Sequence, residues 1–133
     1  MYRWMMALTL FPVLVTACWA QHGALAIDAN HGSRWGTATG YPTQYSANER
    51  ALAECGGGCR VVVMMQNACG AYAADQDNGS SIAGWATKNT QGLAESWAMW
   101  ECRNRGGSRC RVRVWACSLS ASSTPTHRPQ RID

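Results

Sequence analysis

Ala51-Leu52-Ala53-Glu54-Cys55, Gly56-Gly57-Gly58 and Cys59-Arg60-Val61-Val62-Val63 run consecutively and read as a helix end, a glycine turn and a strand. The same order returns as Ala98-Met99-Trp100-Glu101-Cys102, a Gly106-Gly107 loop and Cys110-Arg111-Val112-Arg113-Val114. The match spreads outward. Gly23-Ala24-Leu25-Ala26-Ile27-Asp28 finds Gly70-Ala71-Tyr72-Ala73-Ala74-Asp75, Trp35-Gly36-Thr37 finds Trp85-Ala86-Thr87, and Ala68-Cys69 finds Ala116-Cys117. The chain is therefore a tandem duplication, with repeats over about 22–68 and 69–118. Two copies are too few for a solenoid and each is too short to bury a core alone, so both are expected to share one domain over 21–118.

Outside the repeats the composition changes. Arg3 followed by the apolar run Trp4 to Val15 and the small residues before Gln21 reads as an export signal over 1–20, too short for a membrane span. Val15-Thr16-Ala17-Cys18 also resembles a lipoprotein box with an acylated Cys18. A first strand beginning at Gly23 leaves almost no spacer for such an anchor, so cleavage after Ala20 is preferred. The Ser, Thr, Pro and Arg of 119–133 show no periodicity and read as a disordered tail.

Setting Cys18 aside leaves Cys55, Cys59, Cys69, Cys102, Cys110 and Cys117, and six cysteines in an exported chain imply disulfides. Without a Cys-x-x-Cys pair, and with only His22, His31 and His127 to help, zinc fits poorly, so no metal or cofactor is expected. The pairing that respects the duplication is Cys55–Cys59, Cys102–Cys110 and Cys69–Cys117. The formal charge of +4 includes Arg3 and is too small to argue for nucleic acid.

Each repeat reads as strand, strand, helix, strand. Strands are expected at Gly23 to Asp28 and near Arg34 to Thr39, then a helix entered through a Ser46-Ala47-Asn48-Glu49 capping box, then a central strand over Arg60 to Met65. The second repeat offers a strand at Ala83 to Thr87, an N-cap at Asn89 or Thr90, a helix to Cys102 and a strand over Cys110 to Cys117. The predicted class is α+β, one mainly antiparallel sheet of about six strands with both helices on one face.

The motifs Gly-Ala-Leu-Ala, Ala-Leu-Ala-Glu-Cys, Cys-Arg-Val-Val-Val, Ala-Cys-Gly-Ala-Tyr-Ala, Gly-Trp-Ala and Trp115-Ala116-Cys117 together resemble the domain of unknown function 4189 family over about residues 22 to 118. The resemblance implies a small secreted or periplasmic disulfide-bonded bacterial domain and supplies no catalytic residue.

A hydrolase would need a nucleophile with its base or a carboxylate pair. Asp28, Asp75, Asp77 and His31 are the candidates, and all fall at strand ends or in turns, where such residues shape the backbone. Trp35 and Trp85 as repeat equivalents, and Trp97 and Trp100 on an apolar helix side, read as core. That leaves Arg109, Arg111 and Arg113, which period-two alternation places on one strand face with Trp115 next along it. The plain alternative is a solvated face. The functional expectation is a non-enzymatic exported binding domain whose arginine face meets an acidic protein, with inhibition of a toxin or hydrolase as its most concrete form. The competing expectation is a cell-wall or glycan-binding module using exposed tryptophan.

Overall fold

The computed structural model describes residues 21–30 and 32–119. The segment 1–20 expected to be an export signal, with Cys18, and also His31 and the tail from Ser120 onward lie outside the described residues.

The element order is β1 (His22–Asp28), β2 (Trp35–Tyr41), α1 (Gln44–Cys55), β3 (Cys59–Gln66), β4 (Ala68–Asp75), β5 (Ala83–Lys88), α2 (Gln91–Asn104) and β6 (Cys110–Ser118). Two strand–strand–helix–strand repeats therefore follow one another in an α+β domain. Among the described residues the strands divide into two antiparallel three-stranded sheets, ordered β2-β1-β3 and β5-β4-β6, where the sequence suggested a single sheet. The helices consequently lie on opposite outer faces.

Core composition explains that arrangement. Leu25, Ile27, Val63 and Met65 of the first sheet meet Tyr72, Ala74, Val114 and Ala116 of the second in a shared interior. The alternate residues are small and face outward to the helices. Ala24 and Ala26 pack with Ala47, Ala51 and Cys55 of α1, while Ala71 and Ala73 pack with Ala94, Ala98 and Cys102 of α2. The layers thus run helix, sheet, sheet, helix. β1 and β4 are covered on both faces, which is why β4 is buried from end to end. β3, which its valines suggested as a central strand, is an edge strand with exposed Arg60, Met64 and Gln66.

Helix and sheet approach so closely that a methyl group on Gly36 would run into the Ala51 carbonyl oxygen and Cys55 nitrogen. Gly84 stands in the same relation to Ala98 and Cys102. This fixes the structural equivalence of the repeats: Gly36 matches Gly84, so Trp35 corresponds to Ala83 and Trp85 to Thr37. The apparent Trp35 to Trp85 match is two positions out of register, although both rings pack beside the shared interior.

The caps are also repeat-equivalent. Thr43 caps α1, forming the box with Ser46 in place of the Ser46–Glu49 pair suggested by sequence, and Thr90 caps α2. α1 ends at Gly56, whose φ of 95° suits glycine. The repeats are joined by the single residue Asn67, the one non-glycine at positive φ among the described residues. Asparagine tolerates that conformation, and the corner carries the chain from one sheet into the other without a hairpin.

Candidate functional site

Three disulfides join Cys55 to Cys59, Cys102 to Cys110 and Cys69 to Cys117. The first two span equivalent helix–strand turns. The third links facing positions of β4 and β6, where the first sheet pairs His22 with Gln66 and has no bridge. Three bridges indicate an oxidising compartment. Among the described residues no group of His, Cys, Asp and Glu is placed to hold a metal, and no helix is long and apolar enough to cross a membrane.

The arginine face does not form as the alternation suggested. Tyr72 pairs with Val114 and Ala73 with Val112, so Arg113 sits in a β-bulge and the side-chain parity inverts beyond it. Trp115 is carried to the opposite face, where it is 3% exposed against α2 with Ala94 and Ala98. It is a core residue and no part of a surface. The arginines themselves are separated by their partners. Arg109 lies 3.5 Å from the Asp77 carboxylate, and Arg113 donates to Gln76 Oε1 at 3.0 Å. Arg111 is exposed and makes no ion pair or hydrogen bond among the described residues.

Asp28 and Asp75 are buried anchors of the turns. Asp28 accepts from Gly32 N–H at 3.1 Å and Ser33 Oγ at 2.6 Å, with Arg34 beside it at 3.6 Å. Burial raises its carboxyl, but the Ser33, Gly32 and Arg34 interactions together bring it below the ordinary aspartate value. In Asp75 the Ser80 hydroxyl lowers the carboxyl most; burial opposes it, and bonds from the Arg109 and Asp77 N–H groups add to the lowering. Asp77 is tied to Ser108 and Arg109. Carboxylates held ionised by turn donors are poor proton acceptors.

The exposed apolar residues lie elsewhere. Trp97 and Trp100, expected in the core, are 42% and 50% exposed on the outer side of α2, with Leu93 in line. Their rings meet edge to face at 67° with centroids 5.5 Å apart, leaving a shallow apolar notch beside Ser96. Lys88 Nζ covers the Trp97 ring at 4.3 Å. The small residues of the Ala94, Ala98 and Cys102 face suffice for helix docking, so the heavier stripe is free to face outward. The sequence signal for this was available. Ala at i and i+4 followed by Cys at i+8 in both helices marks the buried face, and the tryptophans fall off it.

Residues 22–117 match the family model described as a domain of unknown function, DUF4189. The chain belongs to this family. No curated protein and no solved structure matches the chain. For this DUF4189 domain the clearest guide to function is therefore internal, because each repeat serves as a control for the other. With Cys55 equivalent to Cys102, the α2 residues Leu93, Trp97 and Trp100 correspond to Ser46, Arg50 and Ala53 of α1. The loop Arg103 to Arg109 corresponds to Gly56-Gly57-Gly58. The buried faces of the two helices are the same and the outer faces are not.

Proposed function

We propose that this DUF4189 domain is an exported, periplasmic or secreted binding domain without hydrolytic activity, whose partner is an acidic protein and whose most concrete role is inhibition of a toxin or hydrolase. The observation that carries the reading is the divergence of α2's outer face. A fold that needs only Ala94, Ala98 and Cys102 to dock the helix has no structural need of two half-exposed tryptophans. Tryptophan and arginine are the residue types most often found where binding energy concentrates. Glu101 borders the Leu93, Trp97 and Trp100 stripe but is paired with Arg105, and Lys88 and Arg103 lie beside it without acidic partners among the described residues, which suits an acidic partner. Among the sequence-predicted arginines, Arg111 is exposed but lies opposite Ala74 on the sheet face away from α2, and Arg109 and Arg113 are engaged within the domain.

The exposure of Trp97 and Trp100 also favours the second reading, a cell-wall or glycan-binding module, because flat rings stack on sugars. Two features weigh against it. The rings stand edge to face, so they offer a notch in place of a platform, and Lys88 already covers Trp97.

The test uses partners co-purified from the exporting cell and then measured in isolation. Replacing Trp97→Arg and Trp100→Ala, the residues of α1, should leave circular dichroism unchanged and weaken partner binding by about 2–4 kcal/mol. Unchanged affinity in the folded variant, or turnover of peptidoglycan, peptide or ester substrates by the pure protein, overturns the reading. Tight binding of N-acetylglucosamine oligomers that needs both tryptophans selects the glycan module.

A further inference from the structure

A half-enclosed cavity of about 270 Å³ opens between the two sheets at the end marked by the first glycine turn. Ile27, Ala29 and Val62 give it apolar walls, and Arg60, Asp28 and Tyr72 also line it. Asp28 turns both its oxygens to Gly32, Ser33 and Arg34, and Arg34 offsets its charge at the opening. The other two polar residues are free. Tyr72 is 4% exposed, its ring fixed by Trp85 in a stack at 6.3 Å, and its hydroxyl has no hydrogen-bond partner among the described residues. The hydroxyl is not sealed from solvent and keeps a free donor position at the cavity, available to an acceptor that enters. Arg60 likewise makes no ion pair or hydrogen bond among the described residues.

The second repeat shows the same place lined by polar side chains: Asp75, Gln76 and Arg113, the counterparts of Asp28, Ala29 and Val62, border a cavity of about 230 Å³. Val62 skips its partner in a bulge, as Arg113 does, since Leu25 pairs with Val63 and Ala26 with Val61. Arg113 is the structural counterpart of Val62, and its long side chain reaches Gln76. Where the second repeat has Gln76 and Arg113 the first has Ala29 and Val62, so its cavity keeps apolar walls.

We propose that this cavity binds a carboxylate carried on a small apolar body, with Arg60 and the Tyr72 hydroxyl as its donors and Ile27, Ala29 and Val62 enclosing the apolar part. A guanidinium and a phenol are donors to an anion, and arginine matches the two oxygens of a carboxylate. The volume holds about nine waters at ~30 Å³ each, so the ligand is small. Two sources present this chemistry, a free short-chain acid or the C-terminal residue of a peptide.

The probes are 4-methylpentanoate, its neutral amide, and a leucine-ended tripeptide with a free or amidated terminus, titrated into the full chain by calorimetry and by Trp85 emission. The acid is expected to bind with a dissociation constant below about 1 mM. Tyr72→Phe keeps the stacked ring and Arg60→Met keeps the stem, and each should weaken binding about tenfold while the fold is retained. Val62→Trp should abolish binding by blocking the space with a bulky uncharged ring. Tighter binding of the free-terminus tripeptide than of the acid assigns the site to chain ends, and the reverse assigns it to free acids. Equal binding of acid and amide, saturation indifferent to both Tyr72→Phe and Arg60→Met, or no binding of either probe overturns the proposal. None of these outcomes involves α2, so they are independent of the partner surface.

Discussion

Asp28 and Asp75 occupy the same place in the two repeats and close the same kind of turn. Each is 7% exposed and each collects donors that favour its ionised form. A carboxyl whose folded value lies below the unfolded one, about 3.9, releases its proton more readily in the native state. The resulting stabilisation is complete above about pH 4 and is lost as pH falls through the depressed folded values. Thermal melts from pH 7 to pH 2 should therefore show the midpoint dropping below about pH 4, and the double variant Asp28→Asn, Asp75→Asn should start lower and respond less to acid. A parallel pH profile in that variant would assign the acid sensitivity to other groups. The turn role of both aspartates was legible because they end matching strands. The fate of Trp115 was not. A single bulged residue, Arg113, shifts every later side chain of β6 to the other face, and a period-two pattern carries no mark of where an extra residue is accommodated.

Helix docking on the sheets is governed by two glycines and a stripe of small residues. Gly36→Ala and Gly84→Ala each place a methyl group against the backbone of the opposing helix. Each should destabilise the domain by about 1–3 kcal/mol, the usual cost of overpacking, read as a lower denaturation midpoint. Thr43→Ala and Thr90→Ala remove the cap acceptors and should cost about 1 kcal/mol apiece. By contrast, changes on the outer stripe of α2 should stay within about 0.5 kcal/mol, because those residues are exposed. A large loss of stability in Trp97→Arg, Trp100→Ala would mean that the stripe serves the fold. The helices themselves were readable from their alanine spacing and glycine stops. What misled was identity: tryptophan aligned with tryptophan, although the position that geometry requires to be equivalent is the neighbouring glycine.

At the scale of the molecule, the disulfides divide the labour unevenly. Loop-entropy estimates are about 2, 2.6 and 4 kcal/mol for Cys55–Cys59, Cys102–Cys110 and Cys69–Cys117. Their sum is comparable with the whole stability of a typical domain, so reductant should abolish the native melting transition, and a midpoint indifferent to reductant would contradict this. The cysteine pairing followed from the duplication, but the division into two sheets did not. Strand patterns give faces and directions, while the partition depends on Asn67, one residue whose positive φ breaks what would otherwise read as a continuous run from β3 into β4. The chain passes between the sheets once, at Asn67, and the counterpart of that corner is Ser118. Ser118 lies over Gly23 and accepts from Gly40 N–H at 3.0 Å, so the domain ends beside its own beginning, at the counterpart of the Asn67 corner. The fold is in this sense a ring that happens to be open at one of two equivalent joints. A circular permutant that links Leu119 to Gln21 and opens at Asn67 should therefore reach the same disulfides and the same near-ultraviolet spectrum.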